Sequence, residues 1–178
     1  MLFVPIIFCL VAGSTALVVE PGHCPDVTVN KMNLTKLSGV WYKYASNENE
    51  LDEEQKNIKI DMTPPENGVS IATLTSFSKL IGDSIKTVCK VTLTENDEVF
   101  KAIFSVPILG KLERTFWNIA LDNNAYVVSL ACENLGPNHI KGVALYTRER
   151  NPPKDVLLAA QKETEKNGVA WSNLIKLN

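Results

Sequence analysis

From Gly39 onward the chain repeats one pattern: short stretches with hydrophobic residues at every second position, separated by clusters of turn-forming residues. A two-residue period puts successive side chains on opposite faces of a strand. It predicts strands over 40–46, 57–63, 68–77, 83–93, 98–104, 114–121, 125–132 and 140–148. PPEN at 64–67, TEND at 94–97 and DNN at 122–124 supply turns between them. Eight strands in sequence order suggest an antiparallel up-and-down meander, and closing it into a barrel removes the exposed edges. A single helix follows, with Asn151 placed to cap it, Pro152 and Pro153 in its first turn, and Val156, Leu157 and Ala160 as its apolar stripe. Asn167-Gly168 ends it, and a last short strand or tail runs from Trp171 to Asn178. No internal repeat or linker divides the chain.

The alternation also assigns faces. Lys86 and Lys90 mark a wet side of their strand, which turns Cys89 and Val91 inward. The full inward set is Ile58, Ile60 and Met62; Ile71, Thr73, Thr75 and Phe77; Cys89 and Val91; Phe100 and Phe104; Trp117 and Ile119; and Tyr146. With Lys141 facing water, Ile140, Gly142, Ala144, Tyr146 and Arg148 share the inner face of the last strand. Cys89 then reads as a small buried hydrophobe, or as a cavity thiol able to meet an electrophilic ligand. Lys43 lies two residues after Trp41, so alternation aims it inward, where it could pair with a ligand carboxylate; the other reading has it snorkelling outward.

The first residues follow a different pattern. Leu2 to Ala12 is an apolar run too short for a stable membrane anchor, and Ser14-Thr15-Ala16 offers a small–x–small cleavage site. Residues 1–16 are therefore expected to be a signal peptide and 17–178 the secreted domain, which retains Cys24, Cys89 and Cys132. Two of three cysteines tend to pair in an oxidising compartment. Asn33-Leu34-Thr35 is the chain's one glycosylation sequon.

Composition narrows the function classes. The 178 residues carry 18 Lys+Arg against 20 Asp+Glu, a net charge of −2 that gives no field suited to nucleic acid. The two histidines, His23 and His139, accompany no nucleophile signature, phosphate loop or metal-spaced cluster, so neither an enzyme nor a metal site is expected.

Gly39-Val40-Trp41-Tyr42 opens the first long strand; Trp117, Asp122 and Tyr126 span a strand, a tight turn and the next strand; Leu145-Tyr146-Thr147-Arg148 directly precedes the helix. In this order and spacing they resemble the three conserved regions of the lipocalin family. PGHCP at 21–25 together with DNNAYVVSLAC and TRERNPP most resembles its apolipoprotein D and bilin-binding branch. The second region departs from the usual Thr-Asp-Tyr, keeping only Asp122 in Leu121-Asp122-Asn123.

The resemblance implies an all-β, eight-stranded antiparallel barrel with one C-terminal helix packed outside. Gly39, Trp41, Asp122 and Arg148 would be structural, with the Arg148 guanidinium across the Trp41 indole at the closed end. It also implies a disulfide between Cys24 and Cys132. Relatives often have a second bridge, and both of its partners are missing together here. The implied function is a secreted carrier of a small hydrophobic ligand (lipid, fatty acid, retinoid or bilin), with no cofactor required. About 300 Å² of buried apolar ligand surface would give roughly 7 kcal/mol before association costs, hence micromolar affinity. The alternative is a secreted lipocalin acting on a protein partner, as inhibitor or scavenger, through its rim loops. Those loops are 47–55, rich in Glu48, Glu50, Asp52, Glu53 and Glu54, with 78–82, 105–113 and 133–139. The apolar Val106-Pro107-Ile108-Leu109 in 105–113 would suit a lipid surface or self-association.

Overall fold

The computed structural model describes residues 18–47, 55–95, 97–106 and 110–177. The expected leader over 1–16, the acidic residues at 48–54 and the apolar tip at 107–109 lie outside the described residues. Ten strands form one sheet: β1 (Val19–Pro21), β2 (Gly39–Ser46), β3 (Gln55–Met62), β4 (Val69–Ser78), β5 (Asp83–Leu93), β6 (Val99–Val106), β7 (Gly110–Asp122), β8 (Tyr126–Leu135), β9 (Asn138–Thr147) and β10 (Ile175–Lys176). From β2 to β9 each strand pairs antiparallel with the next, and β9 pairs back onto β2 through Tyr42↔Thr147 and Lys43↔Tyr146. The result is a closed eight-stranded barrel.

The expected strands are present, and β5 has the expected bounds. The 105–113 connection is mostly strand, because β6 and β7 continue pairing as far as Val106↔Gly110. Between β3 and β4 the turn is centred on Asn67-Gly68, two residues later than a turn over PPEN at 64–67 would be. Both residues have positive φ (50° and 78°), and Glu66 and Val69 exchange backbone hydrogen bonds across them. That is the geometry for which Asn-Gly is favoured in two-residue hairpins.

Helix α2 (Lys154–Lys166) lies against the outside of the barrel, and α1 (Leu34–Leu37) is a single turn before β2. The start of α2 corrects the capping expectation: Pro153, not Asn151, occupies the cap position, with no side-chain hydrogen bond. Ala160 is fully buried, with Val156 and Leu157 packed beside Val128, Leu130, Val143 and Leu145 from the outer face of β8 and β9. Asn167 closes the helix and Gly168 follows with φ 71°, as expected. The tail forms a 3-10 turn over Trp171–Asn173 and then β10, which pairs with β2 beyond the end of the β2–β3 ladder.

Two hydrophobic clusters result. One, containing Ile119, Leu130 and Leu145, lies between barrel wall and α2. The other, containing Trp41, Met62, Ala72, Cys89, Val91, Ala102 and Val127, lies inside the barrel. A strap from the N-terminal segment crosses its base: Asn30 N donates to Asn118 O at 2.9 Å and Met32 N to Asp97 O at 2.8 Å. Met32, Leu34 and Leu37 thereby plug one end. The Cys24–Cys132 disulfide, spanning 108 residues, ties that segment to β8.

Candidate functional site: the interior hollow and its base

The base is organised by Arg148. Its guanidinium carbon lies 3.7 Å from the centre of the Trp41 ring. Nη1 donates to the carbonyls of Ser38 and Val40, Nη2 to those of Lys36 and Asn123, and Nε also to Asn123. One cation thus joins the end of α1, the start of β2 and the β7–β8 turn. Burial pulls its pKa below the ordinary guanidinium value, but an arginine stays charged at neutral pH. Trp41 Nε1 donates to Leu37 O at 2.7 Å, so the buried indole is satisfied. Gly39 has φ 94°, and a Cβ there would lie 3.4 Å from Arg148 Nη1. Asp122 holds the β7–β8 turn, its Oδ1 accepting from Asn124 N at 2.9 Å. Arg150, two residues on, lies over Tyr42 at 4.7 Å.

Above this base is a hollow of about 130 Å³. Of the inward set, Ile60, Met62, Cys89, Val91, Phe100, Phe104 and Tyr146 line it, with Trp41 at the bottom. Leu74, Phe116, Val127, Ala72 and Ala102 complete the apolar wall. Phe100 and Phe116 stack with ring centres 4.9 Å apart.

Six expected lining residues face the other way. The β3–β4 register pairs Ile60 with Leu74 and Met62 with Ala72, which turns Ile71, Thr73 and Thr75 to the outer surface. Phe77 follows them and is 40% exposed. The interior of β4 is instead the small set Ser70, Ala72, Ser76 and Ser78 with Leu74; choosing the bulkier alternate set inverted the face. On β7, Phe116 and Asn118 point inward, while Trp117 and Ile119 join the cluster under α2. There the helix makes the outer face apolar too, so hydrophobicity does not identify the inside.

Neither Lys43 nor Ile58 lines the hollow, and Ile58 falls within irregular pairing. The β2–β9 register shifts between Lys43 and Ala45, and the β3–β4 register shifts between Lys56 and Lys59, where Asn57 has φ 55°. Lys43 sits opposite Tyr146 but does not line the hollow; with Ile58 it borders a separate surface groove beside Tyr42, Tyr44, Arg150 and Lys176.

Cys89 is buried, and burial raises its thiol pKa to about 11. The thiol is therefore protonated at neutral pH and behaves as a small hydrophobe; the reactive-thiolate reading lacks the electropositive setting it needs.

Alternation did not find Asn118 and Ser129, which form a polar spot in the apolar wall. Asn118 is 1% exposed; its Oδ1 accepts from the Ser129 hydroxyl at 2.8 Å, and its Nδ2 lies 2.7 Å from the Met32 sulfur. The signal lay in the flanks, since Phe116 and Asn118 alternate with two residues that the helix covers. Among the described residues no group of three His, Cys, Asp or Glu side chains converges as a metal site would require.

Residues 38–178 match the model of the lipocalin / cytosolic fatty-acid binding protein family. No curated sequence matches the chain. Among solved structures, insecticyanin from the tobacco hornworm Manduca sexta is similar with a TM-score of 0.80 at 14% identity, over 91% of this chain and 89% of that one. Lobster apocrustacyanin A1 gives 0.77 at 17% identity, over 89% of each chain. The amine-binding protein of Rhodnius prolixus, solved as its tryptamine complex, gives 0.65 at 18% identity over 87% and 86%. A closed eight-stranded meander, a helix on its flank and a family match over most of its length together make this chain a member of the lipocalin family.

Proposed function

We propose that the protein is a secreted carrier holding one compact hydrophobic ligand inside its barrel, with no cofactor required. The observation that carries this reading is an interior hollow whose lining, among the described residues, holds no charged side chain. Its volume, about 130 Å³, is close to cavities of about 150 Å³ that admit a benzene-sized molecule. Tryptamine in the Rhodnius amine-binding protein is a compact ligand on a related fold. A bilin or long acyl chain is larger than the hollow and would project through the open end, so the volume favours a smaller molecule. Secretion is supported by the leader pattern at 1–16 and by the Cys24–Cys132 bridge. Asn33 is exposed at the cap of α1, with its Oδ1 accepting from Lys36 N at 3.2 Å, which leaves its Nδ2 for a glycan.

Titration with cumene, followed by the methyl NMR signals of Ala72 and Ala102, tests the reading. Cumene is expected to shift both signals with saturation. Ala102→Phe, which fills the hollow at a cost of about 1–3 kcal/mol, is expected to abolish binding while leaving the fold intact. Shifts confined to outer-face methyls would refute an interior site.

A further inference from the structure

Burying an amide in hydrocarbon is unfavourable unless its hydrogen bonds are replaced. Asn118 is nonetheless 1% exposed in the wall of an apolar hollow. Its orientation is set from both sides: Oδ1 accepts from Ser129, itself 5% exposed, and Nδ2 faces Met32. The reverse orientation would press the amide oxygen against the sulfur lone pairs. The amide nitrogen carries two N–H groups, yet among the described residues its only hydrogen-bond acceptor is a thioether, a weak one. Among the described residues no oxygen takes either proton.

We propose that Asn118 is the polar anchor of the binding site: Nδ2 donates to a neutral acceptor oxygen, a carbonyl or ether, on an otherwise hydrophobic ligand, exchanging the Met32 sulfur for that oxygen. The inference rests on the carrier reading and deepens it to a ligand class. A carboxylate would also accept from Nδ2, but the described residues of the wall include no cation to offset its desolvation and no anion to meet an ammonium ligand. Ser129 is a positioning residue, because its hydroxyl holds Oδ1 and so aims Nδ2.

The test compares four one-ring probes of similar size by calorimetry: acetophenone (ketone), cumene (hydrocarbon), benzoate and benzylammonium. In the native protein the two neutral probes are expected to bind and the two ions to bind at least about tenfold more weakly than acetophenone, a difference of about 1.4 kcal/mol. Asn118→Leu should weaken acetophenone about 3- to 10-fold, the worth of one hydrogen bond, without weakening cumene. The carbonyl stretch of bound acetophenone should fall in wavenumber in the native protein and not in Asn118→Leu. Met32→Leu removes the competing sulfur and should strengthen acetophenone relative to cumene; this second variant decides the matter if Asn118→Leu does not fold. Cumene binding with acetophenone indifferent to both substitutions, or benzoate binding tighter than acetophenone, would overturn the anchor and leave the carrier intact. Failure of both neutral probes to bind would overturn both.

Discussion

Single side chains at the base and in the wall carry separable roles. Arg148 supplies five hydrogen bonds to backbone carbonyls and the cation over Trp41, so Arg148→Ala is expected to lower unfolding free energy by about 2–4 kcal/mol. Urea titration checks it; a loss under about 0.5 kcal/mol, typical of an inert surface site, would refute the joining role. Cys89 predicts a pH dependence. Its thiol ionises near the free-thiol value of 9.0 once the chain unfolds and near 11 in the fold. Between these values the unfolded chain binds fewer protons, so stability is complete below pH 9, falls as pH rises and loses about 2–3 kcal/mol by pH 11. Cys89→Ala should lack that part of the alkaline slope, measured as the difference between native and variant denaturation midpoints at pH 8 and pH 11. Trp41 and Arg148 could be assigned in the sequence because they combine a motif with alternation. Asn118 could not, because a polar residue between Trp117 and Ile119 looks like the wet side of a strand until the helix is known to cover those two neighbours.

At the scale of elements, strand existence was far more legible than strand face. Alternation located β5 because Lys86 and Lys90 leave one orientation available. On β4 neither alternate set is charged, so only pairing with β3 determines that Ala72 and Leu74 are inside. On β3 the register shift near Asn57 breaks the period that pointed Ile58 inward. The strap at 30–37 has no period to read, and it is held by backbone bonds to Asn118 and Asp97. The junction between α1 and β2 depends on Gly39 at φ 94°. Gly39→Ala is therefore expected to cost about 1–3 kcal/mol through backbone strain. Thermal unfolding reads it, and an unchanged Tm would show that this junction tolerates a side chain.

For the whole molecule, the disulfide ties the N-terminal segment to the barrel. Replacing both Cys24 and Cys132 with Ser is expected to cost about 4–5 kcal/mol, the chain-entropy value for a closed loop of 108 residues. Chemical denaturation of the double variant checks it. An effect below 1 kcal/mol would mean that the strap is held by its backbone bonds alone. The overall architecture was legible because a meander with one helix admits few closed solutions; the packing of α2 on β7 and β8 was not, since it depends on which strand faces the helix leaves dry.

Barrel closure leaves its two seam strands each with a stretch that would otherwise be open to a foreign chain. The terminal ribbons Val19–Pro21 and Ile175–Lys176 occupy those stretches, the first along β9 and the second along β2. Trimming either end by proteolysis would strip that guard and present unpaired amide and carbonyl groups to neighbouring molecules. Clipped chains should therefore polymerise by strand addition under conditions that keep the intact protein monodisperse.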